Sequence, residues 1–249
     1  MIDIIICING QHNKLDKMLL SVLLQTIKDK VNVYIVDNSN FNYANIIEKF
    51  SNKIQIKVFK VDSNYTFSDM KQFGIEKSVS KYIMFLSSNE LIYNCFSLKY
   101  MIDAAEEQSA DVVYGNVVIS DFCAKNVACD NLFAVVGKIF RRDFIVNNNI
   151  HFCNINSNED CSFYGICYML ATNICYCNYN VIYSDKNLVN KDYFNSIVDN
   201  IKCAILFCHN NNKKYLRDVI KYLYNVYVND NCSDKLLSLI HSIEKLYLE

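Results

Sequence analysis

The stretch that decides how this chain is read is Lys81-Tyr82-Ile83-Met84-Phe85-Leu86-Ser87-Ser88-Asn89-Glu90. Tyr82 to Leu86 is a short, uninterrupted apolar run, the pattern of a buried strand. It stops abruptly in small and polar residues. In an α/β protein the carboxyl end of such a strand faces a crevice, and ligands bind there. Ser87, Ser88, Asn89 and Glu90 are therefore expected on the floor of any site the protein has.

Working upstream, Asp3 to Ile8 is a second buried strand, turned by Asn9-Gly10. Leu15, Met18, Leu19, Val22 and Leu23 then recur at helical spacing and give a helix with one apolar face. Val31 to Val36 is a strand that ends in Asp37-Asn38-Ser39-Asn40, followed by a short helix from Tyr43 to Phe50. Ile54 to Val61 alternates apolar and polar residues, a strand with one face partly wet. Thr66-Phe67-Ser68-Asp69 is a capping-box pattern and opens a helix to about Ser78. Downstream, a helix from Ser97 to Gln108 leads into a strand at Val112 to Tyr114. Strand alternating with helix predicts a mostly parallel sheet flanked by helices, an α/β fold.

After Asn116 the rhythm changes. Val117 to Cys123 and Leu132 to Phe140 are extended, and Arg141 to Asn147 is a short helix. Ser157-Asn158-Glu159-Asp160 opens a helix to about Ala171, and Ile174 to Cys177 and Val181 to Tyr183 are short late strands. From Lys191 the chain is helical, with apolar stripes at Leu216, Val219, Ile220, Leu223, Val226 and at Leu236, Leu239, Ile240, Ile243, Leu246. The predicted organisation is an α/β domain over residues 1–190 and a C-terminal helical extension over residues 191–249.

Composition narrows the function. The 249 residues carry a formal net charge of -1, so no broad basic surface points to nucleic acid. The 12 cysteines contain no C-x-x-C, and Cys175-Tyr176-Cys177 suits strand packing. Reduced cysteines acting as small core residues, in a cytoplasmic protein, are the expectation. The apolar run Ile4 to Ile8 is too short to span a bilayer, so no transmembrane segment is expected, while peripheral work at a membrane surface stays open. No G-x-S-x-G, G-x-x-x-x-G-K or G-x-G-x-x-G occurs, which removes hydrolase elbows, P-loops and the dinucleotide fingerprint. The 4 histidines form no ligand pair. Proline is absent, so turns fall to Asn, Asp, Ser and 5 glycines.

Four places could carry chemistry, each with a plain structural alternative. Asp37 and Asn38 end a strand and could read the edge of a uracil or another base, or bond their own backbone as turn residues. Lys71 could pair with a diphosphate near a helix N-terminus, or be a solvated lysine. Glu90, with Asn89 beside it, could hold a divalent metal on substrate phosphates, or merely connect strand to helix. Asp160, next to Glu159, could be a general base, or stabilise the start of its helix.

Taken in order, these segments resemble the family 2 glycosyltransferases of the GT-A fold, over roughly residues 2–190. Leu19-Leu20-Ser21-Val22-Leu23-Leu24-Gln25-Thr26 is similar to that family's Leu-x-Ser-Leu-Leu-x-Gln-Thr. Val33 to Ser39 is similar to Val-Val-Asp-Asp-Gly-Ser, and Met70 to Ile75 to Ala-Arg-Asn-x-Gly-Ile. Tyr82 to Glu90 looks like Tyr-Ile-x-Phe-Leu-Asp-x-Asp-Asp; Gly137 to Arg142 and Glu159-Asp160 complete the order. The resemblance implies an inverting transferase that moves a sugar from a nucleotide-sugar, usually a UDP-sugar, to an acceptor hydroxyl on a glycan, lipid-linked or protein acceptor. It implies nucleotide contacts at Ile8, Asn9, Asp37, Asn38, Lys71, Ser87 and Ser88. It implies a Mn or Mg site at Asn89 and Glu90, and a base at Asp160 with Glu159 beside it. The departures are specific. Ser87 and Asn89 stand where the family has metal-binding aspartates, a degenerate DXD. Asn38 replaces an aspartate, Ile8-Asn9 replaces Thr-Tyr, and Lys71 replaces arginine. Two readings follow: transfer with weakened or absent metal help, or a silent relative that binds a glycan, nucleotide or partner protein.

Overall fold

The computed structural model describes residues 1–10, 14–87, 90–119, 125–128, 134–153, 158–184, 194–208, 213–230 and 234–248. Strand β1 (Ile2–Ile8) is apolar at nearly every position and sits in the middle of the parallel region. Helix α1 (Leu15–Leu23) buries Leu15, Met18, Leu19 and Val22, the predicted apolar face. Strand β2 (Val31–Asp37), helix α2 (Ala44–Ser51), strand β3 (Gln55–Lys60), helix α3 (Phe67–Lys77) and strand β4 (Tyr82–Leu86) follow. The four strands lie in the order β3-β2-β1-β4, all parallel. Their carboxyl ends therefore share one rim. The expected capping box at α3 is present: the Thr66 side chain accepts from the Asp69 N–H, and the Asp69 carboxylate takes the Thr66 N–H at 2.8 Å.

What fixes these layers is close packing of branched side chains. Ile2, Ile4, Ile5, Ile6 and Ile8 of β1 are each at most 1% exposed. Each such side chain contributes about 1.5–3 kcal/mol on burial. Gly74 lets α3 approach β1, since a Cβ there would stand 2.5 Å from Ile5 Cγ2. Asp3 is the buried exception on β1. Its carboxylate accepts from the N–H groups of Val79 and Ser80, the Ser80 hydroxyl and the Asn32 amide at 2.6–2.8 Å. It thus staples three chain segments at the edge opposite the crevice.

The second half of the sheet is mixed. Strand β5 (Glu90–Ile92), helix α4 (Ser97–Glu107), strand β6 (Val112–Ile119), strand β7 (Lys125–Ala128), strand β8 (Lys138–Arg141), helix α5 (Arg142–Asn147), helix α6 (Glu159–Leu170) and strand β9 (Ile174–Ser184) complete it. Strand β8 runs antiparallel between β4 and β6, while β9 runs parallel to β6 and antiparallel to β5. The full order is β3-β2-β1-β4-β8-β6-β9-β5, with β7 on β6.

Three local expectations are corrected here. Val112–Tyr114 and Val117 onward form one strand, because a register shift at Gly115 and Asn116 absorbs the irregularity without ending it. Gly115 is needed there: a Cβ would meet Val181 side-chain carbons at 2.6 Å. Ile174–Cys177 and Val181–Tyr183 likewise join into β9. Glu90 opens a strand instead of closing a loop, because β9 supplies the pairing edge. Leu132 and Ser157, parts of two further expected segments, lie outside the described residues.

The chain divides into two compact units, one of residues 1–130, 135–151 and 171–188, the other of residues 131–134, 152–170 and 189–249. The second unit holds α6 with helices α7 (Phe194–Phe207), α8 (Lys213–Asp230) and α9 (Asp234–Leu248). Its core uses the predicted stripes: Leu216, Val219, Leu223, Leu239, Ile240 and Ile243 are buried. Phe152 stacks on Phe163 at 4.0 Å between ring centroids, and the Tyr168 hydroxyl donates to Asp218 at 2.7 Å. Gly165 admits the Tyr215 hydroxyl, which would lie 2.5 Å from a Cβ at that position.

The expectation of uniformly reduced cysteines is corrected for one pair. Cys153 and Cys203 form a disulfide within the second unit, across a separation of 50 residues that leaves no short-range sequence signature. The other described cysteines form no disulfide. Burial pushes the thiols of Cys161, Cys175 and Cys208 up, and that of Cys177 up to about 11, so they pack as small apolar groups. Among the described residues no helix is long and apolar enough to cross a membrane.

Candidate functional site

The rim formed by the ends of β1, β2, β3 and β4 gathers most of the residues singled out from sequence. The Asn38 N–H donates to the Ile8 carbonyl at 3.1 Å, which ties the end of β2 to the end of β1. The Val61 N–H donates to the Asp37 carbonyl at 3.0 Å and ties β3 to β2. Tyr43 reaches back through its hydroxyl to the Gly10 carbonyl at 2.8 Å. Gly10 has φ of 89°, a left-handed conformation that suits glycine. Ile8 itself is core; Asn9 beside it is exposed on the rim.

Asp37 and Asn38 are adjacent but do different things. Asp37 is 1% exposed, and both of its carboxylate oxygens are engaged within the protein. Oδ1 accepts from the Ser39 N–H at 2.7 Å and Oδ2 from Lys60 Nζ at 2.6 Å. Lys60 Nζ also donates to the Ser39 and Phe41 carbonyls at 3.0 and 3.2 Å. Asn38 is 8% exposed. Its amide nitrogen donates to the Tyr65 carbonyl at 2.8 Å, while Oδ1 is buried and has no hydrogen-bond partner among the described residues. A carbonyl can only accept, so the amide nitrogen must face Tyr65 and the oxygen must face away. A buried amide oxygen without a donor costs about 1–3 kcal/mol, which a ligand N–H would recover.

At the end of β4, Ser87 and Glu90 close a turn on themselves. The Glu90 N–H donates to the Ser87 carbonyl at 3.1 Å, and the Ser87 N–H donates to Glu90 Oε2 at 2.9 Å. Glu90 is 9% exposed and Ser87 is exposed. Ser88 and Asn89 lie outside the described residues. A Mg or Mn ion on a bound diphosphate takes one or two carboxylates together with phosphate oxygens. Glu90 supplies one carboxylate, and one of its oxygens already accepts from the turn. Among the described residues no three His, Cys, Asp or Glu side chains gather as a ligand set. One carboxylate is a partial donor set for such an ion, whose other ligands would be phosphate oxygens and water.

Lys71 is half-buried in the second turn of α3. The outer face of that helix borders an open groove of about 440 Å³ lined by Asn64, Tyr65, Asp69, Gln72, Phe73 and Glu76. Two carboxylates make this groove unsuited to a diphosphate. In the second unit, Glu159 and Asp160 form the first turn of α6, both half-buried. Asn158 precedes them at φ of 61°, the Cys161 N–H donates to its carbonyl at 2.9 Å, and the Ser162 hydroxyl donates to the Glu159 carbonyl at 3.0 Å. Burial first, and then the negative charge of Asp160, raise the Cys161 thiol.

The structure thus brings Ile8, Asn9, Asp37 and Asn38 to one rim with Ser87 and Glu90, since β1 pairs with both β2 and β4. Lys60 and Tyr65 belong to this rim and were not among the residues picked out from sequence. Lys60 breaks the alternation of its strand, since it falls at the parity of Ile54, Ile56 and Val58 yet is exposed, so the period gives no role for it. Only the pairing of β3 with β2 shows where its amine goes.

Comparison with known proteins agrees with this architecture. The family model described as Glycosyl transferase family 2 matches residues 3–155. A protein of Borreliella burgdorferi named cholesterol galactosyltransferase is 25% identical over 217 residues, covering 74% of this chain; the chain spans 59% of that relative's length. The fold is that of S. aureus TarS 1-349 solved with UDP, at a TM-score of 0.73 and 18% identity over 92% of this chain and 73% of that one. The mannosyltransferase PcManGT of Pyrobaculum calidifontis, solved with GDP-Man and Mn2+, matches at a TM-score of 0.61 and 9% identity, over 99% of this chain and 70% of that one. With a family match over more than half its length, on a GT-A fold, the chain belongs to the family 2 glycosyltransferases.

Proposed function

We propose that the protein transfers a sugar from a UDP-sugar to an acceptor hydroxyl with inversion at the sugar carbon. The observation that carries this reading is Asn38, a buried amide at the rim whose oxygen lacks a donor. Uracil presents a ring N–H beside a carbonyl. Asn38 Oδ1 would accept from that N–H, and the second hydrogen of its amide nitrogen would meet the carbonyl. Cytosine presents a bare ring nitrogen at the same place and leaves Oδ1 unmatched. Asp37, with its oxygens on the Ser39 N–H and Lys60, supports Asn38 from behind.

The remaining roles rest on the family resemblance of the motifs. Lys71, Ser87 and Ser88 would contact the nucleotide, Lys71 through its positive charge. Glu90 with Asn89 would hold Mn or Mg on the diphosphate, and that ion, when bound, would neutralise charge on the departing UDP. Asp160 takes the proton from the attacking acceptor hydroxyl as the new glycosidic bond forms, with Glu159 next to it. Attack from the face opposite the departing diphosphate gives inversion.

The reading is tested by titrating UDP-sugars with and without Mn or chelator, then measuring released UDP with acceptors that include cholesterol, the compound in the name of the B. burgdorferi relative. Binding of a UDP-sugar together with acceptor-dependent UDP release is the expected result. Absence of any nucleotide-sugar binding sinks the reading. Binding without release by any acceptor favours a silent binding module. Asp160→Asn is expected to lower transfer by about 10²–10⁴-fold, with donor binding nearly unchanged.

A further inference from the structure

Lys60 is an exposed lysine at the end of β3, yet its amine is engaged three times over on the rim. Its Nζ donates to the Asp37 carboxylate at 2.6 Å and to the carbonyls of Ser39 and Phe41 at 3.0 and 3.2 Å. These acceptors span the whole loop that leaves β2. The side chain is 55% exposed while its partner Asp37 is 1% exposed. An ammonium with three donors can satisfy these acceptors at once, which a neutral side chain cannot.

We infer that Lys60 is a positioning residue for the donor base: it fixes Asp37 and the 38–41 loop, and so sets the direction in which Asn38 presents its open oxygen. Asn38 is gripped from its other sides by the Ile8 carbonyl and the Tyr65 carbonyl. Without Lys60, the buried Asp37 carboxylate loses the donor to Oδ2 and its charge is uncompensated, with the Ser39 N–H still on Oδ1. The loop then relaxes, and the cost falls on binding of the base, not on proton transfer at the acceptor. Lys60 touches no reacting atom and acts only through Asp37 and Asn38. The inference rests on the proposal that Asn38 reads the base.

The test measures UDP affinity by calorimetry and donor KM and kcat by UDP release, for the full chain and for Lys60→Met and Lys60→Arg. The wild-type chain binding UDP is the control for the base-site reading itself. Its failure to bind overturns that reading, and the inference with it. With wild-type binding in hand, Lys60→Met is expected to weaken UDP and raise donor KM about tenfold, with kcat within twofold, and Lys60→Arg to recover most of the loss. Unchanged UDP affinity in Lys60→Met overturns the inference and leaves the base-site reading standing. A fall in kcat at unchanged KM, or a lowered melting temperature with no recovery in Lys60→Arg, also overturns it, since either marks a general structural role.

Discussion

Replacing Asn38 with alanine separates a base-reading residue from a turn residue. The side chain makes one hydrogen bond of its own, 2.8 Å from its nitrogen to the Tyr65 carbonyl, and leaves Oδ1 unmatched. In the free protein, Asn38→Ala therefore removes one bond and also one unsatisfied buried oxygen. A neutral hydrogen bond contributes about 0.5–1.5 kcal/mol net, and an unmatched buried oxygen costs about 1–3 kcal/mol. These offset, so the melting temperature is expected to move little. In the complex with UDP, alanine forfeits the bond from the ring N–H and the one to the neighbouring carbonyl. Two such bonds amount to about 1–3 kcal/mol, or about a five- to 150-fold weaker UDP. CDP, which never matched Oδ1, is expected to lose far less. Calorimetric titration of UDP and CDP into both proteins reads the ratio directly. A UDP affinity within twofold of wild type, with an unchanged UDP-to-CDP ratio, refutes the assignment and leaves Asn38 as a loop residue.

Other outcomes follow from the same geometry. Ser87→Asp combined with Asn89→Asp adds two carboxylates beside Glu90 and is expected to make donor binding at least tenfold more responsive to Mn; chelator-insensitive binding in the double variant removes the turn as a metal site. Gly74→Ala places a Cβ 2.5 Å from Ile5 Cγ2, and is expected to destabilise by about 1–2 kcal/mol, an overpacking cost partly offset by better helix propensity; a melting temperature at or above wild type contradicts that packing. Asp111 supplies a pH dependence. Burial alone raises its carboxyl, but hydrogen bonds from Thr172 and Asn173 and the charge of Arg141 outweigh it and hold the value below the usual 3.8. The stability it contributes is fully present above 3.8 and is lost as pH falls through the lower folded value. Asp111→Asn is expected to flatten the acid limb of an unfolding-versus-pH series, and an unchanged limb discounts the group.

The legible part of the fold was local and periodic. The apolar face of α1, the capping box at α3 and the stripes of α8 and α9 follow from side-chain spacing along one segment, and each was readable without a partner. The joins were not. Gly115 and Asn116 look like a break because glycine and asparagine usually interrupt strands. The register shift against β9, and the Val181 side chain where a Cβ would be, turn that break into continuous strand. Glu90 looks like loop until Ser184 and its neighbours offer a pairing edge 94 residues away. The Cys153–Cys203 disulfide spans 50 residues and has no local mark.

For the site, the sequence by itself determined which residue types stand at the strand ends. Asp37, Asn38, Ser87 and Glu90 stand out at strand ends and Asp160 at a helix start, and motif order adds the replacement of the metal-binding aspartates at Ser87 and Asn89. Only the tertiary structure decided how those groups are used. A side chain's role depends on which acceptors come within about 3 Å of it, and those come from segments distant in the chain. Asp37 and Asn38 are neighbours of similar chemistry. One is fully consumed by Lys60 and Ser39, while the other is held by Tyr65 with its oxygen left over. At Ser87 to Glu90, sequence showed that a single carboxylate remains. The fold adds that it bends back to its own turn, which sets how much a metal can gain there.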